Sequence, residues 1–133
     1  MNCATAELAT FAANLRFSDI PPPVIRKTED LLVDWFGSAV AGHGARAVES
    51  IARFVQAMGP PTGASEVIIH GTHTSPYLAA MANAAASHVA EQDDVHNGSV
   101  FHPGTVVLSP ALAMAQAIGA SGQQLLSAAV VGY

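Results

Sequence analysis

Apolar residues recur every three to four positions along most of this chain, and that periodicity constrains its fold more than any other feature. It is clearest in "LLVDWFGSAVAG", where Leu31, Leu32 and Trp35 fall on one face of a helix. The prolines of residues 21–23 suit the entry to this helix, because proline is tolerated in a first turn. The two glycines of the following "GHG" are expected to end it. The same spacing predicts α-helices over 24–41, 46–58, 75–92 and 111–118.

Two further helical patterns and one strand complete the prediction. The segment "TAELATFAANLRF" has apolar residues at helical spacing, and "SGQQLLSAAVVGY" starts another helix with Ser121 as its N-cap. The stretch "EVIIH", residues 66–70, is short and β-branched and is the one good strand candidate. The helix after the "HPG" turn is expected to start only after Pro110. The predicted fold is mainly α: one helical domain over residues 1–133 with one short β-strand.

The composition is unusually apolar, since half of the residues are hydrophobic and only 11% are charged. About a quarter of residues are charged in an ordinary globular domain. Buried helices or a large oligomer interface would explain the difference. A membrane span is not predicted, because Asp34 interrupts the longest apolar run. A secretory signal is not predicted either, because no basic residue precedes Arg16. The net charge of −5 argues against nucleic acid as a partner.

The single cysteine, Cys3, excludes an internal disulfide framework and a metal cluster held by several cysteines of this chain. It is compatible with a reducing compartment, and we expect a cytoplasmic protein. The sequence stops at "LLSAAVVGY", inside a helical apolar pattern. We therefore expect the 133 residues to be the N-terminal piece of a longer protein.

One stretch differs from its apolar surroundings: "EQDDVHNGSVFHPG", residues 91–104, here called the acidic loop segment. It holds three of the ten acidic residues and two of the six histidines. The predicted helix before it delivers His88 and Glu91 three residues apart, so that both can lie on one face. The "DD" pair follows where that helix should end, and the "NG" and "HPG" turns place the segment's histidines on a loop. Loops held by a rigid scaffold often carry reactive groups.

Residue types and spacing alone leave three interpretations of this region open. The first is a solvated loop beside a satisfied core histidine. The second is a metal site, because imidazoles and carboxylates are ligands for zinc, iron or manganese, although no HExxH or paired ExxH motif is present. The third is acid–base chemistry without a metal, with a carboxylate that orients an imidazole. The candidate metal ligands are His88, Glu91, Asp93, His96 and His102.

The residues from "AAMANAAASHVAEQDD" to "HPGTVVLSPALAMAQAIG", together with "LLVDWFGSAVAG" and "GASEVIIHG", resemble the N-terminal part of the MmgE/PrpD family. The resemblance spans essentially the whole chain. It implies a large helical domain that is joined to a smaller α+β domain, and a homodimer. It also implies chemistry without cofactor or metal on small polycarboxylates, by dehydration, decarboxylation or epimerisation. Each of these reactions moves a proton at a carbon beside a carboxylate.

Several positions of the acidic loop segment can be matched to the family's motif. Glu91 stands where aspartate is more usual, and Val95 stands where a threonine or serine often follows the acidic pair. His102 matches the histidine of "HPG", which lines the family's active site, and several bacterial members carry a histidine at the position of His96. A further catalytic histidine and the lysines that hold substrate carboxylates come later in the family. This agrees with the absence of any lysine or arginine after Arg53.

These residues lead to a specific hypothesis about function. We expect a cofactor-free lyase that carries out 2-methylcitrate dehydratase-like dehydration or cis-aconitate decarboxylation. His102 would be the proton-transfer group or a contact to a substrate carboxylate, and Asp93 would orient an imidazole or a substrate hydroxyl. The expected substrate-binding residues are Glu91, Asp94 and His96. The alternatives are an epimerase of the same family, a non-catalytic helical dimerisation or interaction fragment, and a metal-dependent hydrolase.

Overall fold

The computed structural model describes residues 3–133 and is mainly α, as the periodicity predicts. A 3-10 turn at Phe17–Asp19 connects the first two helices. The two strands form one small antiparallel sheet, in which Ser65 pairs with Thr74 and Val67 with Thr72. The elements in chain order are α1 (Ala4–Asn14), α2 (Pro22–Ala41), α3 (Arg46–Met58), β1 (Ser65–Val67), β2 (Thr72–Thr74), α4 (Pro76–His88), α5 (Pro103–Ile118) and α6 (Gly122–Gly132).

Local sequence signals account for several helix boundaries. Helix α2 starts with proline in its first turn, and α3 has the predicted bounds. Ser121 caps α6 through a capping box: its Oγ accepts the N–H of Gln124, and its own N–H donates to Gln124 Oε1 at 2.8 Å. Helix α5 ends at Ile118, and Gly119 caps it with a φ of +64°, a left-handed conformation that glycine adopts without a steric penalty.

The predicted strand over 66–70 is only partly correct, since β1 ends at Val67 and its antiparallel partner β2 was not predicted. The chain turns directly after β1: the N–H groups of His70 and Gly71 both donate to the carbonyl of Val67. The N–H of Ile68 instead donates to Asn83 Oδ1 on α4, at 3.0 Å. The hydrogen bond from Ile68 to Asn83 therefore takes the place of a hydrogen bond between strands, which a longer β1 would need.

The helices on either side of the acidic loop segment also differ from the predictions. Helix α4 ends at His88 rather than at 92, so Glu91 lies outside it, with a φ of +49°. Helix α5 starts at Pro103 rather than after Pro110, and Pro110 lies inside it with an exposed side chain. Pro110 cannot donate a backbone hydrogen bond within the helix. Leu108 and Ser109 beside it are fully buried, and their packing offsets the loss of that hydrogen bond.

Helix α4 packs against α2, α3 and α5, and its alanines allow these close approaches. Two buried polar side chains join the elements. Asn83 on α4 accepts from Ile68 and donates to the carbonyl of Glu66 at 2.9 Å, which satisfies its amide. The indole N–H of Trp35 on α2 donates to Ser109 Oγ on α5 at 3.1 Å. The first side chain thus joins α4 to β1 and the turn after it, and the second joins α2 to α5.

Some apolar residues of the predicted helix faces remain exposed. No side chain of α1 is buried by the rest of residues 3–133, and Leu8 and Phe11 are among its exposed residues. On α2, Phe36 and Val40 are also half-exposed. Within the described chain, none of the helices combines the length and the apolar character that a membrane crossing requires.

Candidate active site

Two histidines face each other where α4 ends and α5 begins. His88 is the last residue of α4, and His102 is the N-cap residue of α5. Their ring centroids lie 4.7 Å apart, with the planes at 67°. The intervening residues 89–101 leave the end of one helix and return to the start of the next. The packing of α4 against α5 thus brings together two imidazoles that are 14 positions apart in sequence.

The carboxylate of Asp93 lies between the two imidazoles. Its oxygens lie 3.3 Å from His88 Nδ1, and Asp93 Oδ2 lies 3.2 Å from His102 Nδ1. The Asp93 side chain is only 1% exposed, whereas His88 is 46% and His102 27% exposed. A buried carboxylate thus connects two imidazoles that solvent can reach. We call these three residues the His–Asp–His triad.

Hydrogen bonds on α4 and α5 hold Asp93 in place. Thr105 Oγ1 donates to Asp93 Oδ2 at 2.9 Å. The Thr105 hydroxyl also lies 3.1 Å from Ser87 Oγ on α4, within hydrogen-bond distance. Ser87 is fully buried, so this link lies beneath the triad rather than in solvent. Side chains from both helices therefore fix the carboxylate before any substrate binds.

The two imidazoles differ in how they contact Asp93. His88 Nδ1 forms a hydrogen bond with the carboxylate, whereas His102 Nδ1 is buried and makes no hydrogen bond within residues 3–133. Its 3.2 Å separation from Asp93 Oδ2 is an ion-pair distance without hydrogen-bond alignment. Because Nδ1 of both rings faces Asp93, Nε2 of each ring is the nitrogen available for proton exchange with another molecule.

Asp94 serves a different purpose from Asp93, although the two are adjacent. Its Oδ1 accepts the backbone N–H of Gly104 at 2.9 Å, in the first turn of α5. A Cβ on Gly104 would lie 2.6 Å from that oxygen and 3.2 Å from the hydroxyl of Tyr133. Burial, and then the negative charge of Asp94, raise the pKa of the Tyr133 hydroxyl above its ordinary value. Asp94 is therefore engaged with protein groups at the start of α5.

The structure places Glu91 and His96 outside the triad. Both side chains are exposed. His96 Nδ1 lies 2.9 Å from Ser99 Oγ, and the backbone of His96 pairs with that of Phe101 in an isolated antiparallel bridge. The five candidate metal ligands are thus not one cluster: three of them converge, and these two belong to the exposed part of the acidic loop segment.

A cation lies closer to the acidic loop segment than the sequence suggested. Lys27 on α2 lines a cleft of about 350 Å³ together with Asp94 and Gln92. Asp30 and Asp34, also on α2, line the same cleft. Lysine and arginine are absent after Arg53, but Lys27 comes from the earlier part of the chain and reaches this cleft from α2. Residues far apart in sequence share this cleft because α2 packs against α4 and α5.

The geometry does not agree with a plain solvated loop, because Asp93 is buried and contacts both histidines. It leaves open both acid–base chemistry and metal binding. The sequence did not identify four neighbours of this region: Thr105, Ser87, Lys27 and Tyr133. Thr105 could have been found from its position three residues after His102, one turn along α5. The others depend on which helices pack together.

Comparison with known proteins gives consistent matches over nearly the whole chain. A family model described as the MmgE/PrpD N-terminal domain matches residues 6–133. Cis-aconitate decarboxylase of Aspergillus terreus is 35% identical over 97% of this chain and 27% of its own length. Cis-aconitate decarboxylase-like protein oryM of Aspergillus oryzae is 31% identical over 97% of this chain and 28% of its length. The chain thus spans about a quarter of these relatives. No solved structure matches significantly.

Proposed function

Because the chain belongs to the MmgE/PrpD family, by its N-terminal domain, we propose that it is part of a lyase for small di- or tricarboxylic acids. The proposed reaction is the decarboxylation of cis-aconitate, since the relatives described above are named for it. The single observation that carries the assignment to chemistry is the His–Asp–His triad at the junction of α4 and α5. The proposed enzyme acts in the cytoplasm as a homodimer.

The triad has the parts that proton transfer to carbon requires. His102 is the proposed proton donor, through Nε2, because Nδ1 faces the buried carboxylate. Asp93 orients the ring, because its buried carboxylate lies beside Nδ1. His88, on the other side of Asp93, is a second imidazole that can relay a proton to solvent, since it is 46% exposed.

The proposed step balances as follows. The bond between a carbon and one substrate carboxylate breaks, and CO2 leaves. The electron pair remains on carbon as carbanion-like charge, stabilised by conjugation with the rest of the substrate. His102 then delivers one proton to carbon and regains it from solvent through the exposed edge of the site. No oxidant, reductant or metal is consumed. Cationic groups that bind the remaining carboxylates are expected outside these 133 residues.

Dehydration is the second candidate reaction, because the same acid–base pair could remove a proton from carbon and assist the departure of hydroxide. Epimerisation would need only removal and return of the proton. The sequence feature that bears on the choice among these reactions is the departure from the family's usual motif at Glu91 and Val95. Both positions are exposed, whereas Asp93 is buried.

A non-catalytic role in helix packing is the alternative from another class. It is favoured by the exposed apolar residues of α1, such as Leu8 and Phe11. These residues also suit packing against the rest of a longer enzyme, so they do not separate the two proposals. Turnover does separate them.

The test is an assay of the complete protein with cis-aconitate and, separately, with 2-methylcitrate in heavy water. Decarboxylation releases CO2 and places one deuterium on carbon in a five-carbon product, which NMR detects. Dehydration of 2-methylcitrate yields an alkene without loss of CO2. Release of CO2 with deuterium incorporation supports the first candidate, and alkene formation from 2-methylcitrate supports the second. Absence of both reactions would leave the packing role as the better proposal.

A further inference from the structure

The His–Asp–His triad has a geometry that suits a metal ion as well as a proton. One ligand atom from each residue can be chosen so that all three lie within 4.8 Å of one another. In a tetrahedral site with bonds of about 2.1 Å, neighbouring ligand atoms are about 3.4 Å apart. The His88–Asp93 and His102–Asp93 separations, 3.3 and 3.2 Å, already have this size. Small side-chain rotations that bring the two imidazole nitrogens closer together would complete this geometry.

The unsatisfied nitrogen of His102 favours a metal over a hydrogen bond at this position. His102 Nδ1 is buried and lies beside Asp93 Oδ2 without hydrogen-bond alignment. A buried polar atom without a partner is costly. A metal ion would satisfy the nitrogen lone pair directly, because coordination requires a shared centre and not a straight N–H···O line.

The surroundings of Asp93 resemble the outer shell of a metal site. Metal-binding carboxylates are usually hydrogen-bonded in turn by neighbouring groups. Here Thr105 donates to Asp93 Oδ2, and Ser87 lies within hydrogen-bond distance of Thr105. The carboxylate is thus fixed, while the partly exposed imidazoles leave room for water as a fourth ligand.

We propose that His88, Asp93 and His102 bind one divalent transition-metal ion of the zinc class, and that this ion inhibits the enzyme. Two imidazoles and one carboxylate suit zinc, whereas magnesium and calcium require mainly oxygen ligands. The ion occupies both Nδ1 atoms and the carboxylate that orients the rings, so the imidazoles are no longer free to carry a proton. The binding half of the proposal does not depend on which reaction the enzyme catalyses.

The test is calorimetric titration of Zn²⁺ into the purified protein, with Co²⁺ absorption as a second readout of ligand geometry. The Cys3→Ser background removes the exposed thiol, which also binds zinc. His88→Gln and His102→Gln remove one ligand each, and Asp93→Asn replaces the carboxylate. The matched controls are His96→Gln, on the exposed loop, and His70→Gln, whose Nε2 lies 3.3 Å from Glu49. Circular dichroism verifies that each variant is folded.

We expect one zinc per chain in the Cys3→Ser protein. Loss of an outer-shell partner weakens metal binding by roughly 10- to 100-fold. His88→Gln and His102→Gln each remove a direct ligand, so they should weaken zinc binding by more than that. Thr105→Val should weaken it by about 10-fold for that outer-shell reason. His96→Gln and His70→Gln should bind zinc as the parent does. Should Asp93→Asn fail to fold, the two half-exposed histidine variants still decide the question.

Two results would overturn the proposal: no stoichiometric zinc binding to the Cys3→Ser protein, or an equal loss of affinity in a control variant. Inhibition is measured separately on the complete enzyme, as the fold-change in turnover on adding zinc and its reversal by a chelator. If zinc binds at the triad but leaves turnover unchanged, the inhibitory half is wrong and the binding site remains. If the enzyme has no lyase activity, the calorimetric result still stands by itself.

Discussion

Asp94 Oδ1 accepts the backbone N–H of Gly104 at 2.9 Å, and this bond ties the acidic pair of the loop to the first turn of α5. The first N–H groups of a helix have no partner within the helix, so a carboxylate there satisfies a donor and complements the helix dipole. Asp93, the neighbouring residue, holds His102 and His88. Asp94 thus fixes the start of α5, and Asp93 fixes the imidazole of its N-cap residue, His102.

Gly104→Ala should lower the free energy of unfolding by about 1–3 kcal/mol, the usual cost of forcing an extra group into a packed site. The added Cβ would lie 2.6 Å from Asp94 Oδ1, so the hydrogen bond to the start of α5 must shift or break. The matched control is Gly37→Ala in α2, where a Cβ meets no heavy atom of the described chain within 4 Å. That control should be neutral or stabilising by up to about 1 kcal/mol. Urea denaturation of both variants provides the comparison, and equal stabilities would contradict the role of Gly104.

His102→Ala in the complete enzyme should lower kcat by about 100-fold or more, the scale for losing a positioned acid or base. Asp93→Asn keeps the shape of the side chain but removes its charge, so it should also lower turnover. His73→Ala, at an exposed position of β2, is the control and should retain near-normal turnover. Steady-state kinetics and a melting curve are measured for each variant. Near-normal turnover in both His102→Ala and Asp93→Asn would show that the site is wrongly assigned.

Ser109→Ala should destabilise the protein by about 1–3 kcal/mol, because it leaves the buried indole N–H of Trp35 without its acceptor. Ser109 is fully buried and Trp35 is 2% exposed, so water does not replace the lost partner. A double-mutant cycle with Trp35→Phe isolates the pair from the loss of aromatic volume. Additive effects in that cycle, measured by chemical denaturation, would argue against a stabilising Trp35–Ser109 hydrogen bond.

Stability should decrease in alkaline solution because of Tyr133. Burial and the nearby Asp94 charge raise the pKa of its hydroxyl in the folded protein above the unfolded value of about 10. Below that pH both states keep the proton and stability is unaffected. As the pH rises above about 10, the unfolded chain loses the proton first, so unfolding is favoured. Tyr133→Phe, which removes the titrating hydroxyl, should reduce this alkaline decline. Identical pH profiles for the parent and Tyr133→Phe would contradict the effect.

Turnover of the complete enzyme should not require a metal. The proposed chemistry uses imidazole and carboxylate groups alone, and added zinc is proposed to inhibit it. Prolonged treatment with a strong chelator should leave kcat unchanged or slightly raised. The control is a parallel sample that receives the chelator already saturated with calcium. Loss of activity that zinc or iron restores would overturn this prediction.

Local sequence signals determined most of the helical structure. The bounds of α3 follow from apolar periodicity, and the start of α6 follows from Ser121 with Gln124 three residues later. Such signals are reliable because each depends on residues within one or two turns of each other. The acidic loop segment could also be recognised from its composition, and the resemblance to the family's motif pointed to His102 and Asp93 within it.

Only the tertiary structure decided which of the candidate residues meet. The early end of α4, the early start of α5 and the strand β2 all depend on contacts between distant segments, as the Asn83 hydrogen bonds illustrate. His88 faces His102 because α4 packs against α5, and Lys27 shares a cleft with Asp94 because α2 packs against both helices. The spacing of residues along the chain fixes the face of each helix. The pairing of those faces depends on the burial of apolar surface across the whole domain, which a local pattern does not contain.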